Sequence, residues 1–409
     1  MSEWTYKTLD ELIRSKAVEL GRGDIISKID IEACPGPHPI YSSSAQGDGK
    51  FGEYGKFMFD EELISWSVDG GGNVFHRPRH KFSVTNVSGY LRLLTNELFY
   101  KFVFYSLTDQ HRYITFDYTT KAHPSVIRKL YSIPSISKRE QERIATILST
   151  LDEVIEATEK LVGKHQQIKA GLMHDLFTRG LWTRPELSRG DHHGLPCEAT
   201  AKEGQLRPTP EEAPGIYQDS PIGLIPKGWC AKQLPQVVDF WDGKRIPLKE
   251  DDRAEMEGDI PYYGASGIID WIDRWLFDDE LILLGEDGEN IISRNLPLAF
   301  KVVGKCWINN HAHVMKPKSG QSIDYWTNYL EWRDYSRMTS GSAQPKITQS
   351  HLSRMHVAEP SEREQIAIAK RMDAVHHLIA EETTHLAKLR QQKQGLMHDL
   401  LTGRVRVSH

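Results

Sequence analysis

Four histidine-bearing groups offer the residue types of acid–base or metal chemistry. His174-Asp175 and His398-Asp399 set an imidazole beside a carboxylate, the components of a general base. Both lie in segments of helical periodicity, where adjacent side chains point in different directions, so capping or a partner contact fits them better. His311-Ala312-His313 alternates as on a strand and turns both rings to one side, but no third ligand stands at zinc-site spacing. Asp191-His192-His193 falls in an aperiodic stretch and reads as a solvated loop. Gly70-Gly71-Gly72 reads as a turn, and no Gly-Lys pair, as in Gly49-Lys50-Phe51 or Gly243-Lys244-Arg245, continues into the Ser or Thr of a phosphate loop. No Pro-Pro pair exists to build the Asn/Asp-Pro-Pro-aromatic grip of an amino-methyltransferase. Cys34, Cys197, Cys230 and Cys306 are too scattered for a metal site or a disulfide framework. No catalytic residue, metal or cofactor is expected.

The chemistry left is contact with DNA, in which Lys and Arg grip phosphates while hydrogen-bonding side chains read base edges. His76-Arg77-Pro78-Arg79-His80-Lys81 is the densest basic cluster, with Lys50 and Lys56 in a nearby Gly-rich loop. Further along stand Lys244, Arg245, Lys249, Arg294 and Arg337. Tyr41 and Ser42, within Pro39-Ile40-Tyr41-Ser42-Ser43-Ser44, correspond to the loop of Tyr262 and Tyr263 in Pro261-Tyr262-Tyr263-Gly264-Ala265-Ser266. Ala122-His123-Pro124 matches Ala343-Gln344-Pro345, which adds His123, Gln344 and Lys346 as candidates.

The elements that carry these residues are duplicated. Gly171-Leu172-Met173-His174-Asp175-Leu176 recurs as Gly395-Leu396-Met397-His398-Asp399-Leu400, an offset of 224 residues. At the same offset Glu140-Gln141 meets Glu364-Gln365, without a gap over 37 residues. The segment has no proline, and its apolar positions step by fours and threes: Ile144, Leu148, Leu151, Ile155 and Val162, then Ile368, Met372, Val375, Ile379 and Leu386. That is a heptad seam, interrupted at Thr158 and Glu382, where looser packing is expected. Each helix should run roughly 50 to 55 Å at 1.5 Å per residue, and the two should pair as a rigid spacer. Ahead of each lies a weaker repeat: Trp4 and Leu9 against Trp229 and Leu234, and Phe59-Asp60-Glu61-Glu62-Leu63-Ile64 against Phe277-Asp278-Asp279-Glu280-Leu281-Ile282. Short alternating runs between turns predict a curled sheet, with helical pieces near 91–107 and 323–337. The fold class is α+β: two globular units, each followed by a long helix, the helices forming an antiparallel coiled coil. The predicted boundaries are 1–132, 133–181, a linker over 182–225 that contains Pro208, Pro210 and Pro214, 226–356 and 357–409.

The 409 residues carry a net charge of −5 with 26% charged residues, which excludes a chain coated in positive charge but not local basic surfaces. Without a long apolar run or a secretory start, the chain is expected in the cytoplasm and not at a membrane.

The duplicated plan resembles the specificity subunit of type I restriction–modification enzymes. The resemblance rests on Ile133-Pro134-Ser135-Ile136 ahead of Glu140-Gln141, and on Glu359-Pro360-Ser361 ahead of Glu364-Gln365. It rests also on the ending Lys393 to Val405 and on Asp219-Ser220-Pro221-Ile222-Gly223-Leu224-Ile225-Pro226-Lys227-Gly228-Trp229. It implies that each globular unit is a target recognition domain for half of a split site in double-stranded DNA. It implies further that two methyltransferase subunits dock on the scaffold, and that restriction and translocation subunits complete the complex, with all catalysis in those partners. The first helix departs from the pattern, ending Leu176-Phe177-Thr178-Arg179-Gly180. Alternatives are an assembly adaptor that reads no sequence, or the recognition subunit of a two-subunit restriction system.

Overall fold

A computed structural model describes residues 4–43, 47–69, 71–116, 121–183, 203–339 and 345–407. The chain divides into two compact units, one of residues 1–160 with 383–409 and one of residues 161–382. Both boundaries fall inside long helices, so each unit holds part of each helix.

The first unit begins with strand β1 (Tyr6–Thr8), helix α1 (Leu9–Arg14), β2 (Val18–Arg22), α2 (Lys28–Ala33), β3 (His38–Tyr41), β4 (Lys50–Tyr54), β5 (Phe59–Ser67), β6 (Val74–Val84) and β7 (Ser88–Leu93). Helices α3 (Tyr100–His111) and α4 (Pro124–Leu130) and strand β8 (Ser132–Pro134) lead to the long helix α5 (Lys138–Thr178). The sheet order is β2-β7-β5-β6-β3-β4, with β3 parallel to β6. Strand periodicity explains how it is covered. Ile64 and Trp66 of β5 join the core formed with α3, α4 and α5, while Phe59 and Leu63 join Tyr41, Phe82 and Val84 in a separate cluster.

The second unit repeats this order. After β9 (Tyr217–Gln218), β10 (Ile225–Pro226) and β11 (Cys230–Gln233) come β12 (Val238–Phe240), α6 (Glu250–Ala254), β13 (Glu257–Gly264), β14 (Gly267–Ile272), β15 (Phe277–Gly285), α7 (Asn290–Ser293), β16 (Ala299–Ile308) and β17 (Ala312–Pro317). Helices α8 (Ile323–Trp332) and α9 (Gln349–Arg354) and strand β18 (His356–Glu359) precede the second long helix, α10 (Glu362–Leu401). The sheet order is β12-β17-β15-β16-β13-β14, again with one parallel pair, β13 and β16. Ile282 and Leu284 face the helices, whereas Phe277, Leu281 and Leu283 face the other cluster.

The long helices have 41 and 40 residues, roughly 60 Å each, because both start ahead of the repeated Glu-Gln pair and neither breaks at the shared glycine. Within the first unit the two segments are antiparallel: Ile155 packs with Leu386 and Leu389, Asp152 bonds Lys393 at 2.5 Å, and Glu159 bonds Arg390 at 2.7 Å. Their seam positions are used in two ways. Ile144 and Leu148 are buried against α3 and β8 as well as Met397 and Leu400, and Ile368 and Met372 share the second unit's core with Met173, Leu176 and Phe177. Leu151, Val162, Val375 and Ile379 are only half-buried. The interruption at Thr158 does not leave the side chain exposed: Thr158 is buried, and its hydroxyl donates to Val154 O at 2.8 Å.

The repeated polar residues lock helices to sheet domains. The Gln141 side chain accepts from Phe99 N–H and donates to Glu97 O and Ile136 O, all within 3.0 Å. Gln365 accepts from Ser322 N–H and donates to Pro360 O and Gln321 Oε1, again within 3.0 Å. Each glutamine therefore ties a long helix to the start of α3 or α8. Met397 and Leu400 at the end of α10 enter the first unit's core, and Met173 and Leu176 at the end of α5 enter the second's. His174 leans towards Trp332, and His398 lies 3.4 Å from Asp109.

Three expectations are corrected. Residues 91–93 are strand, and helix begins only at Tyr100. The second half of the expected linker is folded: Tyr217 and Ile225 are buried, and Arg207 pairs inside the second unit with Glu364, itself bonded by Trp229 Nε1–H at 3.0 Å. The third concerns the match of His123 with Gln344. Ala122 N–H donates to Val68 O and Ile347 N–H to Glu286 O, so Lys121 corresponds to Lys346 and His123 to Thr348, both helix N-caps. Gln344 itself and Asp191-His192-His193 lie outside the described residues.

Candidate nucleic-acid interface

In the first unit the basic cluster lies on β6, where Glu61 pairs with His80 but Leu63 with Arg77. The extra residue on β6 is a bulge that breaks the alternation and puts Arg77 on a different face from Arg79 and Lys81. Arg79 and Lys81 are exposed; Arg77 is buried. The Arg77 guanidinium stacks 3.6 Å from the Tyr41 ring centroid and 4.7 Å from that of Phe75, and its Nε–H donates to Ser65 Oγ at 2.9 Å. Burial pushes its pKa down to about 10 and raises that of the Tyr41 hydroxyl. Arg77 and Tyr41 are therefore an internal brace, not a surface contact. His80 Nδ1 faces Pro78 O at 2.6 Å, which leaves Nε2 to accept from the Tyr41 hydroxyl at 3.2 Å. The solvent side carries Lys50, Lys56, Arg79 and Lys81. Lys50 bonds Glu53 at 2.8 Å, and Arg79 reaches Asp60 only at 3.9 Å. Ser42 Oγ accepts from Thr85 Oγ1 at 2.9 Å. His123 caps α4, accepting from Ser125 N–H at 3.3 Å.

In the second unit, Tyr263 is the counterpart of Tyr41: Tyr263 pairs with Ile308 as Tyr41 pairs with Val84. Tyr262 is buried and its hydroxyl accepts from Leu248 N–H at 3.1 Å, which removes it from the surface. Arg245 and Arg294 are also turned inward. Arg245 bonds Glu286 at 2.8 Å and Ala312 O at 2.7 Å, and Arg294 reaches Glu331 at 3.5 Å. Lys244 sits 3.3 Å from the Trp241 ring centroid. Lys249, Arg337 and Lys346 are exposed, and Lys346 bonds Glu286 at 3.0 Å.

Beneath Lys346 lies a charged network. Both ring nitrogens of buried His313 face acceptors, Asp242 Oδ2 at 2.6 Å and Ile347 O at 2.9 Å. Burial alone would raise the Asp242 pKa, but His313, Val314 N–H and Arg245 outweigh it and hold the carboxyl below its ordinary range. Glu286 is lowered similarly, burial being outweighed by Arg245 and Lys346. His311 and His313 do not share a face as expected: His311 precedes β17 and lies exposed on Asp287 at 2.9 Å. No group of three or more potential ligands for a metal ion occurs among the described residues.

The architecture defines a class: a duplicated α+β protein in which each of two sheet domains is clamped to segments of both long helices. Residues 1–170 and 226–391 match the family described as Type I restriction modification DNA specificity domain, and the chain belongs to that family. It is 23% identical to the type I restriction enzyme MjaVIII specificity subunit of Methanocaldococcus jannaschii, over 92% of this chain and 88% of that one. A putative specificity subunit of Haemophilus influenzae is 31% identical over 150 residues, which are 37% of this chain and 38% of that relative. The crystal structure of the M. genitalium type I S subunit superposes with a TM-score of 0.61 at 20% identity, covering 98% of this chain and 96% of that one. A chain from a structure of type I complex assembly superposes at 0.53 and 14% identity, covering 97% of each.

Proposed function

We propose that this chain is the sequence-recognising subunit of a type I restriction–modification complex in the cytoplasm. Each sheet domain reads one half of a split target in double-stranded DNA, and the paired helices set the gap between halves. The supporting observation is the duplication itself: one strand order, used twice, with each copy clamped to both long helices by the same Gln and Gly-Leu-Met-His-Asp-Leu residues. Lys50, Lys56 and Arg79 in the first unit, and Lys244, Lys249 and Arg337 in the second, are exposed and contact phosphates in this reading. The chain is non-catalytic in this reading. Methylation belongs to two methyltransferase subunits, and ATP-dependent cleavage to restriction subunits. Along α5, Ile147, Val154, Leu161 and Ile168 recur every seven residues and stay 36% to 49% exposed, a second heptad stripe suited to a partner helix.

The test is long-read mapping of modified bases in cells that express the chain with its methyltransferase subunit. A methylated motif in two defined halves around a fixed gap, lost when this chain is omitted, is the expected result. An active methyltransferase in a soluble complex without any new motif would refute sequence reading.

A further inference from the structure

Two exposed aromatic side chains occupy one position in the two units. In the first, Met58 N–H donates to Phe82 O, Phe59 pairs with Phe82, and Asp60 pairs with Lys81. In the second, Leu276 N–H donates to Cys306 O, Phe277 pairs with Cys306, and Asp278 pairs with Lys305. This register sets Phe57 against Trp275 and Lys81 against Lys305. Phe57 is 43% exposed with Lys81 Nζ 4.7 Å from its ring centroid; Trp275 is 48% exposed with Lys305 Nζ at 3.6 Å.

Phe57 meets His38 edge to face, with ring centroids 5.2 Å apart, but neither Phe57 nor Trp275 belongs to the core clusters beside it. Phe59 and Phe277, two residues on, already fill the interior, and an aromatic ring half in water gives up much of its burial energy. The recurrence therefore points to a contact. The two units differ in their exposed cations, as readers of different half-sites must, whereas a feature repeated in register meets something that both units meet. Phosphate is one such object, but an aspartate stands directly across from each lysine and repels it. In the second unit Asp273 is also close, bonding Arg274 at 3.3 Å beside Trp275. An aromatic knob within a rim of mixed charge has the composition of a protein–protein hot spot.

We propose that the Phe57–Lys81 and Trp275–Lys305 pairs are duplicated docking knobs for one protein partner, present once per unit. The partner offers an apolar pocket for the ring and a carboxylate for the lysine. This rests on the reading of the chain as a scaffold for two copies of a methyltransferase subunit.

The experiment titrates the full chain with its methyltransferase subunit, by calorimetry and native mass spectrometry, for wild type, Phe57→Ala, Trp275→Ala and the double variant. Each single variant should weaken one of the two bound copies about tenfold or more, and the double variant both. The fully loaded complex should keep its DNA affinity and salt dependence. Phe57→Gln and Trp275→Gln, with circular dichroism as a folding control, replace any alanine variant that misfolds. Wild-type partner affinity in every variant would overturn the proposal. So would intact partner binding with weaker DNA affinity and a shallower salt dependence, which would make the lysines phosphate contacts. Failure of the wild-type complex to methylate a split motif would count against the recognition function alone, since partner affinity is measured without DNA.

Discussion

Replacing Glu364 by Gln tests whether the repeated Glu-Gln pair holds the second unit together. The Glu364 carboxylate accepts from Leu181 N–H at 2.8 Å, from Trp229 Nε1–H at 3.0 Å and from both terminal nitrogens of Arg207. The side chains of Arg207 and Glu364 are each 2% exposed. Glutamine keeps the shape but removes the counter-charge, and it turns an NH2 towards a ring of donors. Breaking a buried pair from one side costs about 3–5 kcal/mol. The equivalent Glu140 provides the control: its partner Arg406 is 52% exposed at 3.3 Å, so Glu140→Gln should cost less than about 1 kcal/mol. Hydrogen exchange read by mass spectrometry should show protection lost over residues 203–229 in Glu364→Gln, with Trp229 fluorescence reporting the same opening in urea. Equal and small effects of the two substitutions, with unchanged exchange at 203–229, would refute the assignment of this network as the clamp.

Gly171 and Gly395 lie inside the long helices, and an added Cβ would meet nothing within 4 Å. Alanine at either position should stabilise the protein by about 0.5–1 kcal/mol, read as a higher denaturation midpoint; a lower midpoint would contradict a continuous helix there. Acid should weaken the second unit through Asp242 and Glu286, whose folded pKa values lie below their ordinary ones. Their contribution is complete above the ordinary carboxylate range near about 4. It is lost as pH falls through the lower folded values, because the unfolded chain takes up protons first. Asp242→Asn should flatten that pH dependence, and an unchanged acid transition would show that the network contributes nothing.

The long helices, their duplication and the two-unit plan were legible in the sequence because helical periodicity is local and a gapless repeat needs no contacts to be seen. The run from Phe59 to Ile64 announced a strand for the same reason, and so did its copy at 277–282. Which side chains face solvent was decided elsewhere. Arg77 and Arg79 are two residues apart and would share a face on a regular strand, yet the bulge in β6 turns Arg77 inward, where Tyr41 and Ser65, on other strands, hold it. Tyr262 and Tyr263 are neighbours, and the shared proline, Pro39 or Pro261, already aligned the second with Tyr41, but only the fold shows that Tyr262 is buried, its hydroxyl accepting from Leu248 N–H. The match of His123 with Gln344 failed because the shared Pro was an accident of loop sequence, while the backbone bonds to Val68 and Glu286 set the true register. The aromatic–lysine pairs carried only a faint sequence signal, Phe57-Met58-Phe59 against Trp275-Leu276-Phe277, since each forms across two strands. Patterns along the chain thus determined the elements and their duplication. Tertiary pairing decided which charges are spent inside the protein and which remain for a partner, because burial is set by residues distant in sequence.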